Sequence, residues 1–486
     1  MQAPHPHHST DETVVERTGR RPHGRQRAQY APHSAALPDS DPALYHSRRV
    51  IAALFGAPAV RTFDVRYWDG STDVGLAGSS RYVLVVNGKG ALRAMLLPPS
   101  ELSIVEAFLS GQIDVDGDLE AAVTIGDQIN KRIRSPRTLA TAVRHLLALP
   151  REASVSGVRA ARAERTVSRL GREHDPSRDQ AAIRYHYDVG NDFYSLWLDE
   201  RMVYSCAYFR SSSDSLEDAQ LAKLDLVCRK LRLRAGDRFL DVGCGWGALV
   251  IHAAKHYGVT SLGITLSEAQ ASLARERIAA AGLSDRCRVE IRDYRDLPTD
   301  GGFDKIASVG MVEHVGLDKL PEYFSSLYGA LAPGGLFLNH GIVSVHAARP
   351  GGWRERLEAW LWRRNAFIEQ YVFPDARLVP LHEVLAAAEG AGFETRDVES
   401  LREHYAMTLR AWLARLKANA ARIVAVTDAR TYRTWWLYMT GSAYSFATGT
   451  INVVQTVLSK PDAAGHAHLP LTRDDLAAPS RRATEA

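Results

Sequence analysis

The sequence predicts an α/β protein: an open parallel sheet with helices on both faces, preceded by a smaller α/β unit. Three observations predict it. Strand-like and helix-like segments alternate through the second half of the chain, as βαβ crossovers require. The first of those strands, RFLDV beginning at Arg238, runs straight into a glycine turn, Gly243-Cys-Gly-Trp-Gly247. Earlier in the chain, residues 41–130 hold a separate run of short strands and helices punctuated by Asp-Gly and Asn-Gly.

Residues 1–40 are rich in His, Arg, Pro and polar side chains and read as a disordered tail. Its His5, His7 and His8 read as solvated rather than as a metal site. Within 41–130, VRTFDVRYWDGST has strand alternation and an Asp-Gly turn, and SSRYVLVVNGKG reads as a second strand. PPSELSIVEAFLSGQI reads as a helix with Ser100 or Ser103 as N-cap, and GDLEAAVTIGDQINKRI as another helix. Residues 131–180 form a basic helical connector containing the amphipathic piece TLATAVRHLLAL. That piece is either a solvated linker helix or a patch drawn to anionic lipid headgroups. The main domain spans 181–460, where RFLDV, TSLGITLS, CRVEIRDYRDL, FDKIASVGMVEHV and GGLFLNHGIVS read as strands. ALVIHAAKHYG and EAQASLARERIAAAG read as the helices between them, and 461–486 as a loose tail. No internal repeat is present.

The bulk numbers exclude several classes. With 486 residues the chain can hold two or three domains, and 45% hydrophobic residues supply a core. A net charge of +4 gives no argument for nucleic acid as a partner. Cys206, Cys228, Cys244 and Cys287 are isolated, with no CxxC pair and no metal-ligand spacing, which fits a reducing compartment. No run of about 18 apolar residues is present and the N-terminus lacks an apolar signal core. The expectation is a cytoplasmic protein that, if it meets lipid at all, does so peripherally from the cytoplasmic face.

The glycine turn narrows the chemistry. Its form is GxGxG, with Asp241 two residues before Gly243. It resembles motif I of the Rossmann-like class I methyltransferases, which implies S-adenosylmethionine as cofactor, with Gly243 and Gly245 beneath it. Most such enzymes end the next strand with an acid that binds the ribose; this chain has Thr265-Leu266 there. Gln270 fits either a helix capping box with Ser267 or a cofactor contact. Asp293-Tyr294 follows the third strand, where an acid can accept from the adenine amino group and an aromatic ring can cover the base; plain loop solvation is the alternative for Asp293.

Further segments carry a more specific resemblance. These are Tyr185-His-Tyr-Asp-Val-Gly-Asn-Asp192, Tyr204-Ser-Cys-Ala-Tyr-Phe209, GITLSEAQ, DYRDL, Gly310-Met-Val-Glu-His-Val-Gly316 and Asn339-His-Gly-Ile342. Phe367-Ile-Glu-Gln-Tyr-Val-Phe-Pro374 and Arg402-Glu-His-Tyr405 ahead of Leu409-Arg-Ala-Trp412 complete the set. In this order, over about 180–460, the chain resembles the cyclopropane-fatty-acyl-phospholipid synthases and their mycolic-acid-modifying relatives. The earlier unit with RYWDGS resembles, more weakly, the small lipid-associated domain of the bacterial phospholipid enzymes.

The resemblance implies that Tyr204 and Ser205 touch the cofactor. It also implies a bound bicarbonate acting as base, held by Cys206, Glu313, His340, Ile342 and Tyr405. The implied substrate is the cis double bond of a phospholipid acyl chain. The alkene attacks the sulfonium methyl, so no side-chain nucleophile is needed, and the base then removes a proton so that the ring can close. Glu313 beside an anion must be protonated or must accept the bicarbonate OH. Cys206, His314, His340 and Tyr405 could instead be core residues. Phe367, Tyr371, Tyr438 and Phe446 are candidates for an acyl-chain tunnel. Three rivals stay open: a methylene- or methyl-branched product, a soluble small-molecule substrate, and a non-catalytic lipid-binding protein. Homodimerisation is left open as well.

Overall fold

A computed structural model describes residues 41–124, 135–151, 190–345, 366–373 and 378–477. The readings for the N-terminal tail, most of the connector, the 185–189 stretch and the last residues lie outside the described residues.

The smaller unit is a four-stranded sheet in the order β2-β1-β3-β4, with β1 Asp64–Tyr67, β2 Thr72–Asp73, β3 Tyr82–Val86 and β4 Ile113–Gly117. Five helices belong to it: α1 Pro42–Phe55, α2 Ala91–Leu96, α3 Glu101–Leu109, α4 Leu119–Val123 and α5 Pro136–Ala148. Ser100 caps α3 by accepting from Ser103 N–H, as one of the two sequence candidates required. Two sequence expectations change here. The helix expected to run through Ile113 stops at Leu109; Gly111, at φ 75°, turns the chain and Ile113 opens β4. The amphipathic α5 is not merely a linker. It buries Ala142, His145 and Leu146 and packs on α1, where His46 and His145 meet through their Nδ1 atoms at 2.8 Å.

The main sheet runs β7-β6-β5-β8-β9-β12-β11. Its strands are β5 Arg238–Val242, β6 Thr260–Thr265, β7 Cys287–Ile291, β8 Phe303–Val309, β9 Leu331–Ser344, β11 Glu394–Ser400 and β12 Ile451–Ser459; the short β10 Val379–Pro380 pairs with β9. The first five are parallel; β12 and β11 add an antiparallel pair that the sequence reading did not include. β5 is central and buries Phe239, Leu240 and Val242, as a strand covered on both faces must. The strand order reverses at β5, with β6 on one side and β8 on the other. In open α/β sheets, ligands bind outside the carboxyl ends of the strands at such a point. Before β5 comes α6 Asn191–Ser195, then α7 Leu216–Lys230, capped by Ser215 Oγ accepting from Asp218 N–H at 3.1 Å. After β5 come α8 Ala248–Tyr257, α9 Glu268–Ala280, α10 Leu320–Ala330, α11 Ala366–Tyr371, α12 Leu381–Gly390, α13 Arg402–Ala418, α14 Ala420–Val426 and α15 Ala429–Thr448.

The stretch after 460, expected to hang loose, is tied down as far as it is described. Arg232 on the loop after α7 holds Asp475 at 2.8 and 3.3 Å, and Arg473 holds Asp397 at 2.7 Å. These pairs join charges 243 and 76 residues apart, so local sequence could not announce them.

The small unit is clamped onto α15. Arg433 donates to Phe108 O at 2.7 Å, Ile113 O at 3.1 Å and Asp114 Oδ2 at 3.0 Å, and its guanidinium lies 4.3 Å from the Phe108 ring centre. Arg430 pairs with Glu106 at 3.0 Å, and Tyr371 on α11 also bonds Glu106. Removing Arg433 strands two carbonyls and a carboxylate. Arg433→Ala is therefore expected to cost about 2–3 kcal/mol in urea denaturation. Arg410→Ala, which loses only the solvent-facing pair with Glu120, is expected to cost less than about 1 kcal/mol.

Candidate active site

A cavity opens where the switch-point rule places it. Gly243, Gly245 and Gly247 follow β5 with φ of 78°, 53° and 81°, a region that side chains with a Cβ rarely adopt. The N–H groups of Gly243 and Cys244 donate to Ile264 O at 2.9 and 3.0 Å and pin the turn to β6. A Cβ on Gly263 would come within 2.7 Å of Cys244 Sγ, so β6 can pass beneath the turn only with glycine there. A Cβ on Gly245 would meet no atom within 4 Å, and Gly245 lines the cavity. The backbone is thus bare where a ligand would lie.

All ten residues expected to bind cofactor line this one cavity: Tyr204, Ser205, Asp241, Gly243, Gly245, Thr265, Leu266, Gln270, Asp293 and Tyr294. Asp241 is buried, its Oδ1 has no hydrogen-bond partner, and desolvation pushes its carboxyl up to about 7, opposed by the charge of Lys223. An orphaned acceptor here suits a cationic group such as the ammonium of S-adenosylmethionine. Gln270 stands at the helix cap without closing the capping box, since the Ser267 N–H donates to Thr265 Oγ1 instead. The Gln270 N–H donates to the cap Ser267 Oγ at 3.4 Å, while its side chain turns away from the cap and bonds Thr265 Oγ1 at 2.9 Å beside the cavity. Asp293 is already engaged by Arg295, through the backbone N–H and Nε at 2.9 Å each and Nη2 at 2.7 Å.

The sequence reading missed two residues on α7. Gln220 Nε2 donates to Val203 O at 3.3 Å and Ser205 O at 2.9 Å, and Lys223 Nζ donates to Ser205 Oγ at 2.8 Å. Together they hold the 203–205 wall of the cavity. A signal was available: both sit on the buried face of α7 with Leu216, Ala219, Leu224 and Val227, where an unneutralised lysine is costly.

The second polar cluster lies past β8. Glu313 Oε1 accepts from Ile342 N–H at 2.7 Å, and its Oε2 is buried without a partner. Burial pushes this carboxyl up to about 7, with the Ile342 N–H acting against the shift. The Ile342 amide, expected to hold an anion, is therefore committed to Glu313. His340 Nδ1 meets the Gln455 side-chain amide at 3.1 Å, and its Nε2 is buried without a partner. Burial lowers this histidine to about 3, so it is neutral. Cys206 Sγ bonds Ala207 O at 3.3 Å and lies 3.8 Å from Leu401 O, and burial raises its thiol, so it is neither thiolate nor nucleophile. Tyr405 N–H donates to that same Leu401 O at 3.0 Å, and Leu401 N–H donates to Val453 O, the register partner of Ile342. All five nominated residues are thereby linked through one stretch of the β9–β12 edge.

Aromatic rings bridge the two regions. Tyr204 contacts Trp197, Trp412 and Trp435; Trp435 contacts Tyr438; Tyr405 contacts Phe446 with centroids 4.6 Å apart. Of the four proposed tunnel residues, Tyr438 and Phe446 stand in this chain of rings. Phe367 and Tyr371 pair with each other on α11.

Comparison with known proteins agrees with this geometry. The family described as "Mycolic acid cyclopropane synthetase" matches residues 174–456. A Pseudomonas putida protein named "Probable fatty acid methyltransferase" is 42% identical over 416 residues, 85% of this chain and 95% of its own length. Cyclopropane mycolic acid synthase 1 of Mycobacterium tuberculosis is 36% identical over 283 residues, covering 58% of this chain and 97% of its own. The crystal structure of mycolic acid cyclopropane synthase CmaA1 complexed with SAH and CTAB matches with a TM-score of 0.53 at 36% identity, over 57% of this chain and 97% of that one.

The bare turn makes a direct expectation. Gly245→Val should lose S-adenosylhomocysteine binding in calorimetry, since the added side chain occupies the ligand's space; its φ of 53° adds a backbone cost, so folding is checked by circular dichroism. Gly247→Val should instead lower the melting temperature, because its Cβ meets Ala274 Cβ at 3.1 Å. Wild-type affinity in Gly245→Val would remove the turn from the binding site.

Proposed function

The chain belongs to the mycolic acid cyclopropane synthetase family, and we propose that it uses S-adenosylmethionine to methylate the cis double bond of an unsaturated phospholipid acyl chain and close a cyclopropane ring there. One observation carries the reading. Besides a cavity with a bare glycine turn and an orphaned Asp241 Oδ1, the carboxyl-end region of β8 and β9 holds two more buried polar atoms without a partner, Glu313 Oε2 and His340 Nε2.

The cofactor supplies an activated methyl group, so the protein needs no nucleophile of its own. Its residues have other tasks. The glycine turn, Tyr204, Ser205 and Gln270 bind and orient, and the aromatic cluster excludes water from the acyl chain. Glu313, His340 and Tyr405 fit a small oxyanion such as bicarbonate, which would supply a base. The neutral His340 offers an N–H, and Glu313 is protonated easily enough near neutrality to sit beside an anion without repulsion.

Access to the lipid is supported by α5. Its inner face packs on α1, and its outer face is also apolar, with Leu139 and Leu147 exposed at 45% and 58%. Arg137 and Arg144 are exposed as well, and residues 135–151 contain no acid. An apolar strip flanked by arginines suits the surface of an anionic bilayer. Among the described residues no helix is long and apolar enough to cross a membrane, so association would be peripheral.

Three outcomes test these readings. Incubation with S-adenosylmethionine and vesicles of unsaturated phospholipid should add the mass of one CH2 unit to the acyl chains; unmodified chains would refute the activity. Glu313→Gln should bind S-adenosylhomocysteine normally yet lose about a hundredfold or more in turnover, the range for a general-base function; full activity would remove Glu313 from the base site. Leu147→Glu with Arg144→Glu should weaken sedimentation with anionic vesicles, and added salt should weaken wild-type binding. Unchanged binding of the double variant would exclude α5 as the docking face.

A further inference from the structure

Lys223 is a cation in a place where charge is expensive. It projects from α7, is 2% exposed, lines the cofactor cavity, and donates from Nζ to Ser205 Oγ at 2.8 Å. The same cavity is lined by Asp241, whose Oδ1 has no partner. The groups whose charges act on Lys223, or feel it, come from every side: Asp199 and Cys206 on the preceding loop, Cys228 on its own helix, Asp241 on β5, His252 on α8 and His340 on β9. Asp199 is occupied with the backbone N–H groups of Val203 and Arg201. Both cysteines are neutral thiols raised by burial, and both histidines are lowered by it. Of the two acids lining the cavity, Asp293 is engaged by Arg295, and Asp241 has the oxygen without a partner.

We propose that Lys223 is a positioning residue for cofactor binding: anchored on the Ser205 hydroxyl in the cavity that Asp241 also lines, it acts through the Asp241 carboxylate, which the cavity presents to the ammonium group of S-adenosylmethionine. The proposal rests on the reading of this cavity as the cofactor site. The electrostatics support it in sign. Burial raises Asp241 to about 7, and Lys223 is the group that opposes the rise. Burial lowers Lys223 to about 8, with Asp199, Cys206 and Asp241 opposing. Burial therefore works against charge on both groups; Lys223 opposes its loss from Asp241, and Asp241 together with Asp199 opposes its loss from Lys223. Affinity for a ligand ammonium should fall as pH drops through about 7 and Asp241 takes up a proton. Without Lys223 that fall should begin at higher pH.

The test is calorimetry with S-adenosylhomocysteine from pH 6 to 9 on the full-length wild type, Lys223→Gln, Lys223→Arg, Asp241→Asn and the Lys223→Gln/Asp241→Asn double variant. The ligand's own amino group titrates alike in all five. Lys223→Gln should bind about tenfold more weakly at pH 7, with its acid midpoint about one unit higher, since one unit of pKa corresponds to a tenfold change. Lys223→Arg should keep the wild-type midpoint. In the Asp241→Asn background, Lys223→Gln should change affinity less than about twofold, as expected if one residue acts through the other. Wild-type affinity and midpoint in Lys223→Gln would overturn the proposal, as would an equal loss in the Asp241→Asn background, which would make the lysine act independently of Asp241. Should Lys223→Gln not fold, carboxyl-carbon NMR of unliganded wild type decides. The Asp241 signal should respond both to its own titration and to proton loss from Lys223 near pH 8, and a single step would overturn the proposal. A wild type that binds no S-adenosylhomocysteine would instead remove the cofactor-site reading, and this proposal with it.

Discussion

The cost of burying charge organises this molecule's chemistry. Asp241, Lys223, Glu313 and His340 are all buried, and none has the full set of partners that water would give it. Each responds as desolvation demands, the acids rising and the lysine and histidine falling. The result is a set of groups poised near neutrality or held uncharged. Such a site can receive a cationic cofactor and an apolar chain together, because its own net charge stays low and its polar atoms are few and directed.

The scaffold follows from that need. The parallel strands β5 to β9 deliver the glycine turn, Thr265, Asp293 and Glu313 to one edge of the sheet, because every parallel strand ends on the same side. The antiparallel β12 then sets Val453 and Gln455 against Ile342 and His340, and the Leu401 carbonyl gathers Tyr405 and Cys206 onto that edge. The α7 helix serves the other side, with Gln220 and Lys223 holding the 203–205 wall. The small unit is held to α15 by the Arg433 and Arg430 clamps, the same helix that contributes Trp435, Tyr438 and Phe446 to the aromatic cluster.

Much of this was legible in the sequence, for identifiable reasons. GxGxG after RFLDV states a backbone requirement, so the lining of the switch-point cavity could be read residue by residue, and all ten choices line it. Capping is likewise local, and Ser100 and Ser267 announced their helices. What escaped depends on distant partners. The β11–β12 pair is defined by its register with β9, and α5 looked like a free amphipathic piece because α1, which buries its inner face, lies some 90 residues earlier. Ile342 shows the same limit at the site: its N–H was expected to face an anion, and only the folded contact reveals Glu313 as its acceptor. Lys223 was readable in principle, as a charge on the apolar face of α7, but its role required knowing that Ser205 and Asp241 meet it there.

The central claim is that a polar site built on Glu313 and His340 lets methyl transfer end in ring closure on a lipid chain. The most direct test is the proton spectrum of phospholipid purified after reaction with this enzyme and S-adenosylmethionine. The account predicts strongly upfield cyclopropane protons in the modified chains and loss of their olefinic signals. Exocyclic methylene signals in those chains would contradict it.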